Sequence, residues 1–256
     1  MRRMKKGIAF SYYNEKLRFI DVWSRGNSED SNFYYDLTDN NLNYLAHFIS
    51  NITQVDHQRV ISYFHELESN VELRNHIQKE FELSNYDKKV EIKYGRRVGW
   101  YAIIRIVKPK FVIETGVDHG VGACVIAQAL LMNAEEGFSG RYLGTDIFPG
   151  AGQLFTGKYA TIGKIAYGDS ILTLERLKEK IDVFINDSDH SSSYEISEYK
   201  TIRNKLSADS VILGDNSHST SALADFSLES GRRFYFFREQ PKDHWYPGAG
   251  IGASVK

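Results

Sequence analysis

Phe111-Val-Ile-Glu114-Thr-Gly116-Val-Asp118-His-Gly120-Val-Gly122 is the stretch that decides the fold. A short apolar run ends on an acid, and spaced glycines then lead into a helix-like segment. The first half of that pattern recurs in Tyr142-Leu-Gly-Thr-Asp146, Ile165-Ala-Tyr-Gly-Asp169, Val183-Phe-Ile-Asn-Asp187 and Val211-Ile-Leu-Gly-Asp215. Runs this short, alternating with helical stretches, read as buried parallel strands. The expected order is strand 111–116, helix 120–133, strands 142–147 and 164–169, helix 171–180, strand 181–187, helix 193–206, strand 210–215, helix 219–230 and strand 233–238. Crossovers between parallel strands are right-handed, so a doubly wound, mostly parallel α/β sheet is the simple solution. Ligands of such sheets sit outside the carboxyl ends of the strands. A row of acids along that edge favours a ligand rich in hydroxyls or positive charge, and an enzyme over a scaffold.

Composition narrows the partners. A chain of 256 residues buries a full core. A net charge of −1 gives no general pull toward nucleic acid or an acidic membrane. No apolar run approaches the ~18 residues of a membrane span, and the basic start Met1-Arg-Arg-Met-Lys-Lys6 lacks the apolar segment of a secretory signal. The single cysteine, Cys124, excludes an internal disulfide and fits a reducing cytoplasm. Its helix-like neighbourhood makes it a packing residue.

Residues 1–92 read as an N-terminal extension, a cap on the sheet or a homodimer face, and residues 93–256 as the main domain. Within the extension, Gly7–Tyr13 and Lys16–Trp23 read as a small hairpin around Asn14-Glu15. Leu42, Leu45, Phe48, Ile49, Val60, Ile61, Phe64 and Leu67 carry a helical spacing across 39–83. Residues 84–92 read as a charged linker, and a helix over 97–107 stops before Pro109.

The glycines of the deciding stretch permit a tight turn and let a ligand lie against bare backbone. Their spacing is G-x-x-x-G-x-G, and the next strand-end acid, Asp146, lies 30 residues after Gly116. A dinucleotide fingerprint has G-x-G-x-x-G and its acid about 20 residues on, which argues against a nicotinamide oxidoreductase. The pattern resembles the class I S-adenosylmethionine (SAM)-dependent methyltransferases, over roughly residues 95–256. The resemblance implies a Rossmann-like fold and SAM as cofactor. It places Glu114, Gly116, Asp118, Gly120 and Gly122 at the methionine end, Asp146 on the ribose hydroxyls, and Asp169-Ser170 at the adenine amino group. A ribose diol donates two hydrogen bonds and a carboxylate can accept both. The plain alternatives are an ordinary strand–helix turn for the glycines and helix-capping acids for Asp146 and Asp169.

A second constellation follows the fourth and fifth strands: Asn186-Asp187-Ser188-Asp189-His190 and Gly214-Asp215-Asn216. Neighbouring strand ends bring these groups close together. Two carboxylates and an amide oxygen make a hard oxygen set suited to Mg²⁺, Mn²⁺ or Ca²⁺. The arrangement is similar to the metal-dependent O-methyltransferases of the catechol, caffeoyl-CoA and macrolide-sugar types. By that likeness Asp187, Asp215 and Asn216 are the ligands, and His190, in Asp187-Ser-Asp-His190, is the general base. Asp189 either orients His190 or replaces Asp187 as ligand. A turn of capping residues is the plain alternative. The implied function is SAM-dependent, metal-assisted O-methylation of a small hydroxylated molecule, a sugar or natural-product intermediate. A catalytically silent cofactor- or nucleotide-binding protein of the same fold is the other reading. Outside these motifs, His119 reads as a loop hydrogen-bonder. His218 and the segment around His244 line the substrate side or form a surface turn. Tyr94–Tyr101 either covers the cofactor, binds an anion or is a solvated basic turn.

Overall fold

The computed structural model describes residues 2–26, 31–84, 91–215 and 217–256. Its centre is a seven-stranded sheet in the order β3-β2-β1-β4-β5-β7-β6. The strands are β1 (Phe111–Thr115), β2 (Arg141–Asp146), β3 (Gly163–Tyr167), β4 (Ile181–Asn186), β5 (Leu206–Gly214), β6 (Arg233–Arg238) and β7 (Gly250–Val255). The first five are parallel, and β7 pairs antiparallel with both β5 and β6. β1 is buried along its whole length, and β4 nearly so, as expected of strands covered by helices on both faces. The strand order reverses between β1 and β4, and the crevice at that switch point is where a doubly wound sheet takes its ligand.

Three helices between β1 and β6 match their periodic stretches: α6 (Val121–Glu135), α8 (Ser170–Arg176) and α9 (Ser192–Ile202). α10 (Ala222–Glu229) covers the stretch before β6, and a short turn, α7 (Gly157–Ala160), precedes β3. α5 (Arg97–Val107) stops, as the sequence indicates, before Pro109. Upstream, α2 (Asp39–Thr53), α3 (His57–Glu68) and α4 (Val71–Leu83) fill the 39–83 stretch. Their caps are local: the side chains of Thr38, Asp56 and Asn70 accept from the first-turn amides of the helices they precede. Leu45, Ile49, Val60, Phe64 and Leu67 share one buried cluster with Val112, Val125 and Val183. The extension and the sheet therefore have a common core. Most of the expected linker, 85–90, lies outside the described residues.

Two elements differ from the sequence reading. The hairpin at 7–23 is a single helix, α1 (Arg2–Trp23), with mostly exposed side chains. A two-stranded hairpin is marginal without a sheet or helix to pack on. Helical spacing instead puts Lys6 over the Phe10 ring at 5.5 Å. The second difference is β7. Its glycines disguise a strand, yet they are needed there, because a Cβ at Gly250 would run into the Phe236 ring of β6. Among the described residues no helix is long and apolar enough to cross a membrane.

Arg105 ties the extension to the sheet's first helix. It is 2% exposed on α5. Its guanidinium donates to Glu66 of α3 at 2.7 Å, to Asn133 of α6 and to Glu136 at 2.5 Å. Arg105→Ala strips the buried Asn133 amide of one partner and removes packing from a tight core. It should lower stability by about 2–3 kcal/mol, read as a fall in chemical-denaturation midpoint.

Candidate active site

One cavity of about 730 Å³ opens at the carboxyl ends of β1, β2, β3 and β4, the place that the strand order selects. Of the residues expected at a cofactor, Gly116, Asp118, Asp146, Asp169 and Ser170 line it. Gly116 sits at φ +84°, and a Cβ there would collide with the carbonyl of Asp187 at the end of β4. The loop can cross from β1 to α6 only over bare backbone. Gly120 occupies the N-cap of α6. Gly122 lies inside the first turn, where a Cβ would strike the Glu114 carboxyl and the Trp100 ring. These two glycines shape the loop from behind without lining the cavity.

Glu114 is displaced from its expected place. It is 2% exposed, lies under the loop and accepts a hydrogen bond from the Tyr142 hydroxyl. Burial pushes its carboxyl up to about 8 against the opposing influence of Tyr142 and Arg97. It is a buried acid that supports the loop and does not reach the ligand space.

Asp146 holds the loop from the other side. One carboxylate oxygen accepts from the amides of Val117 at 3.0 Å and Asp118 at 3.1 Å, and the other from Phe148 at 2.8 Å. A carboxylate offers about four acceptor sites, so Asp146 keeps capacity for a ligand hydroxyl. Asp169 caps α8, accepting from Ile171 at 2.8 Å, and it also faces the cavity. The capping and ligand readings of this residue are therefore compatible. Ser170 donates to the buried Glu198 and lies 2.9 Å from the Tyr194 hydroxyl. His119 pairs with Gln153 at 2.8 Å, the loop contact its position indicates.

At the other end, Asp187 and Asp215 come together as expected, but with a third partner. Arg96 donates through Nε and Nη2 to the two carboxylate oxygens of Asp215. The Arg96 and Asp215 side chains are 7% and 0% exposed. Glu239 lies 3.8 Å from Arg96 Nε and accepts from the Tyr35 hydroxyl at 2.6 Å. Burial works against the Arg96 charge, and Asp215 and Glu239 more than offset it, so its pKa rises. Burial also pushes Asp187 well above the usual carboxylate range, with the neighbouring Asp215 charge adding to it. Asp215 moves down despite burial because Arg96 faces it. The pair thus divides into an ionised Asp215 turned to Arg96 and an Asp187 that favours its proton.

This arrangement differs from the expected metal set. Both oxygens of Asp215 are taken by a buried guanidinium, and Asp187 favours its neutral form. Asn216 lies outside the described residues. Among the described residues no group of three His, Cys, Asp or Glu side chains could hold an ion. The donor set as it stands does not fit a divalent cation, which needs several hard oxygens free to coordinate.

His190 does reach the cavity, 38% exposed, with Nε2 3.8 Å from Asp187 and Nδ1 3.9 Å from Glu195. Glu195 chiefly raises its pKa, with burial opposing and Asp215 adding. Asp189 is engaged with its own turn. It is exposed and accepts from the Ser191 amide at 2.7 Å, so it shapes the turn. Glu195, which α9 presents inward with Glu198, stands 3.9 Å from the imidazole Nδ1. Glu198 in turn gathers Ser170, Asn186 and Ser188. Both glutamates were legible in principle, since Glu195, Glu198, Tyr199 and Ile202 recur at the spacing of one helical face. The Tyr94–Tyr101 segment is not a solvated turn, because Arg96 and Arg97 are both buried. On the substrate side Tyr246 and Ala249 line the cavity. His244 packs against the Tyr35 ring at 5.4 Å.

Residues 113–217 match the family model described as a methyltransferase domain. No curated protein matches the chain. Solved structures share the fold, three of them as follows. An O-methyltransferase from Bacillus cereus in complex with SAH is 14% identical, with TM-score 0.54 over 71% of this chain and 91% of that one. An SAH-bound methyltransferase from Podospora anserina is 18% identical, with TM-score 0.52 over 77% and 94%. An O-methyltransferase from Streptomyces achromogenes involved in tomaymycin synthesis, in complex with SAM, is 12% identical, with TM-score 0.53 over 76% and 95%. Over residues 113–217 the chain carries a methyltransferase-domain match, and it shares the fold of these three structures.

Glu114 supplies a pH test. Its carboxyl ionises near its ordinary value of 4.5 when unfolded and near about 8 when folded. Its stabilising contribution is therefore present below about 4.5 and is lost as pH rises through about 8. Glu114→Gln should flatten the fall in melting temperature between those limits, measured by thermal unfolding across pH.

Proposed function

We propose that the chain transfers a methyl group from SAM to a hydroxyl oxygen of a small molecule, a sugar or natural-product intermediate. The observation that carries this reading is the placement of His190, paired with Glu195, on the wall of the cavity that the glycine loop and Asp146 also line. The cavity's volume is that of a site for a small ligand. Metal assistance is left out of this reading, because Arg96 takes the carboxylate that would bind the ion.

The residues present suit the cofactor. Gly116 keeps the loop open to close approach. Asp146 has acceptor capacity for a ribose hydroxyl beside its loop contacts. The Nε of Arg97, buried on the cavity wall, has no hydrogen-bond partner among the described residues. It suits the carboxylate of a methionine moiety. SAM supplies an electrophilic methyl on a sulfonium sulfur. The protein must therefore present an aligned oxygen and remove its proton. His190 takes that proton as the oxygen takes the methyl, and the sulfur keeps the electron pair of the broken bond. Glu195 fixes the imidazole and stabilises its charged form. Phe33 and Tyr35 of the extension, with Tyr246, line the cavity and would face the acceptor.

Calorimetry with SAM tests the reading first, and undetectable binding at high protein concentration would reject it. Asp146→Ala should weaken SAM binding by about tenfold or more, as loss of a charge-assisted hydrogen bond implies. His190→Ala should lower kcat by roughly 10²–10⁴-fold and leave SAM affinity unchanged. The imidazole acts as its neutral form. Since its pKa is raised, wild-type kcat should climb with pH through a midpoint above 6.5, and the variant should lose that limb. Transfer to a panel of hydroxylated acceptors, followed by SAH release, reads both.

A further inference from the structure

We propose that Arg96 is the built-in cation of the acidic strand ends, a guanidinium fixed where the sequence alone calls for a divalent ion. The site would then work without Mg²⁺ or Mn²⁺ and would not bind them.

Three features carry the inference. The first is coordination. A divalent ion on Asp215 would sit about 2.0–2.6 Å from the oxygens to which Arg96 already donates. The bidentate fork and the ion exclude each other. The second is the charge that an arriving ion would meet. Arg96 neutralises Asp215, and His190 stands 3.8 Å from Asp187. What reads in sequence as a cluster of negative charge is close to balanced in space, so little field remains to repay a dication's dehydration. The third is the anchoring of the arginine itself. Arg96 is the N-cap residue of α5. Its guanidinium lies 5.9 Å from the Trp100 ring, within cation–π range. Glu239 stands 3.8 Å away, itself held by Tyr35. These contacts come from three separate parts of the chain, so the side chain cannot swing aside without breaking a buried network.

The placement also gives the arginine work to do. Arg96 lines the same cavity as His190. A guanidinium fixed at that point can stand beside an acceptor oxygen as a hydrogen-bond donor without needing an ion in solution. This catalytic half rests on the methyl-transfer reading above; the ion-exclusion half does not.

The experiment therefore reads ions, with neither cofactor nor acceptor present. MnCl₂ is titrated into the purified full chain, with bound Mn²⁺ counted by electron paramagnetic resonance and melting temperature followed in parallel. Wild type should bind no stoichiometric Mn²⁺ and show no ion-linked rise in melting temperature. Arg96→Gln uncovers Asp215 and should gain a single Mn²⁺ site, on the order of a hundredfold tighter than anything in wild type. Adding Asp215→Asn should abolish it. Stoichiometric Mn²⁺ on wild type that Asp215→Asn removes would overturn the proposal, and so would a folded Arg96→Gln with no gain. If Arg96→Gln fails to fold, the wild type and Asp215→Asn still decide: a silent wild type supports the proposal and an Asp215-dependent site ends it. Neither result bears on whether SAM binds, so the two readings fail separately.

Discussion

Everything at the carboxyl edge of this sheet is arranged around one buried ion pair, Arg96 with Asp215. A charged fork on a carboxylate with no exposure to water survives only if its geometry is good and its remaining groups are met. Here the fork is bidentate, Glu239 stands behind it, and the Trp100 face covers it. The pair joins the start of α5 to the end of β5, and Gly116 of the glycine loop packs over the end of β4. The ligand space, the proton-favouring Asp187 and the approach to His190 all take their form from that junction.

The same acids therefore do less as ligands and more as structure than their order in the chain suggests. Asp146 holds two loop amides, Asp169 caps a helix and Asp189 closes a turn. Asp146 and Asp169 still present themselves to the cavity, so holding the backbone and meeting a ligand are combined in one side chain. Glu114 is fully committed to the interior. A row of strand-end carboxylates thus becomes a cavity with only a few free acceptors and two buried arginines on its wall.

Much of this was legible in the sequence. Apolar runs ending on acids placed the parallel strands, and the glycine spacing placed the loop, because both patterns follow from burial and backbone sterics. What stayed hidden has more than one cause. The hairpin reading of 7–23 failed because β-type residues specify strands only where a sheet can receive them, and Lys6 and Phe10 found helical spacing instead. β7 was missed because its glycines answer to the aromatic rings of β6, which lie across the sheet and not along the chain. Arg96 was read as one of two neighbouring bases, since its partner is 119 positions away. Glu195 was passed over because an acid on the inward face of a polar helix reads as solvated. For β7 and Arg96 the deciding contact is long-range, and spacing along the chain does not encode it.

Crystals grown with SAH and soaked in Mn²⁺ test the account most directly, since one anomalous map reports on both halves of the site. The account predicts SAH in the cavity with its ribose on Asp146, Arg96 still forked onto Asp215, and no manganese peak between Asp187 and Asp215. A manganese peak there with Arg96 turned away, or SAH bound elsewhere on the molecule, would contradict it.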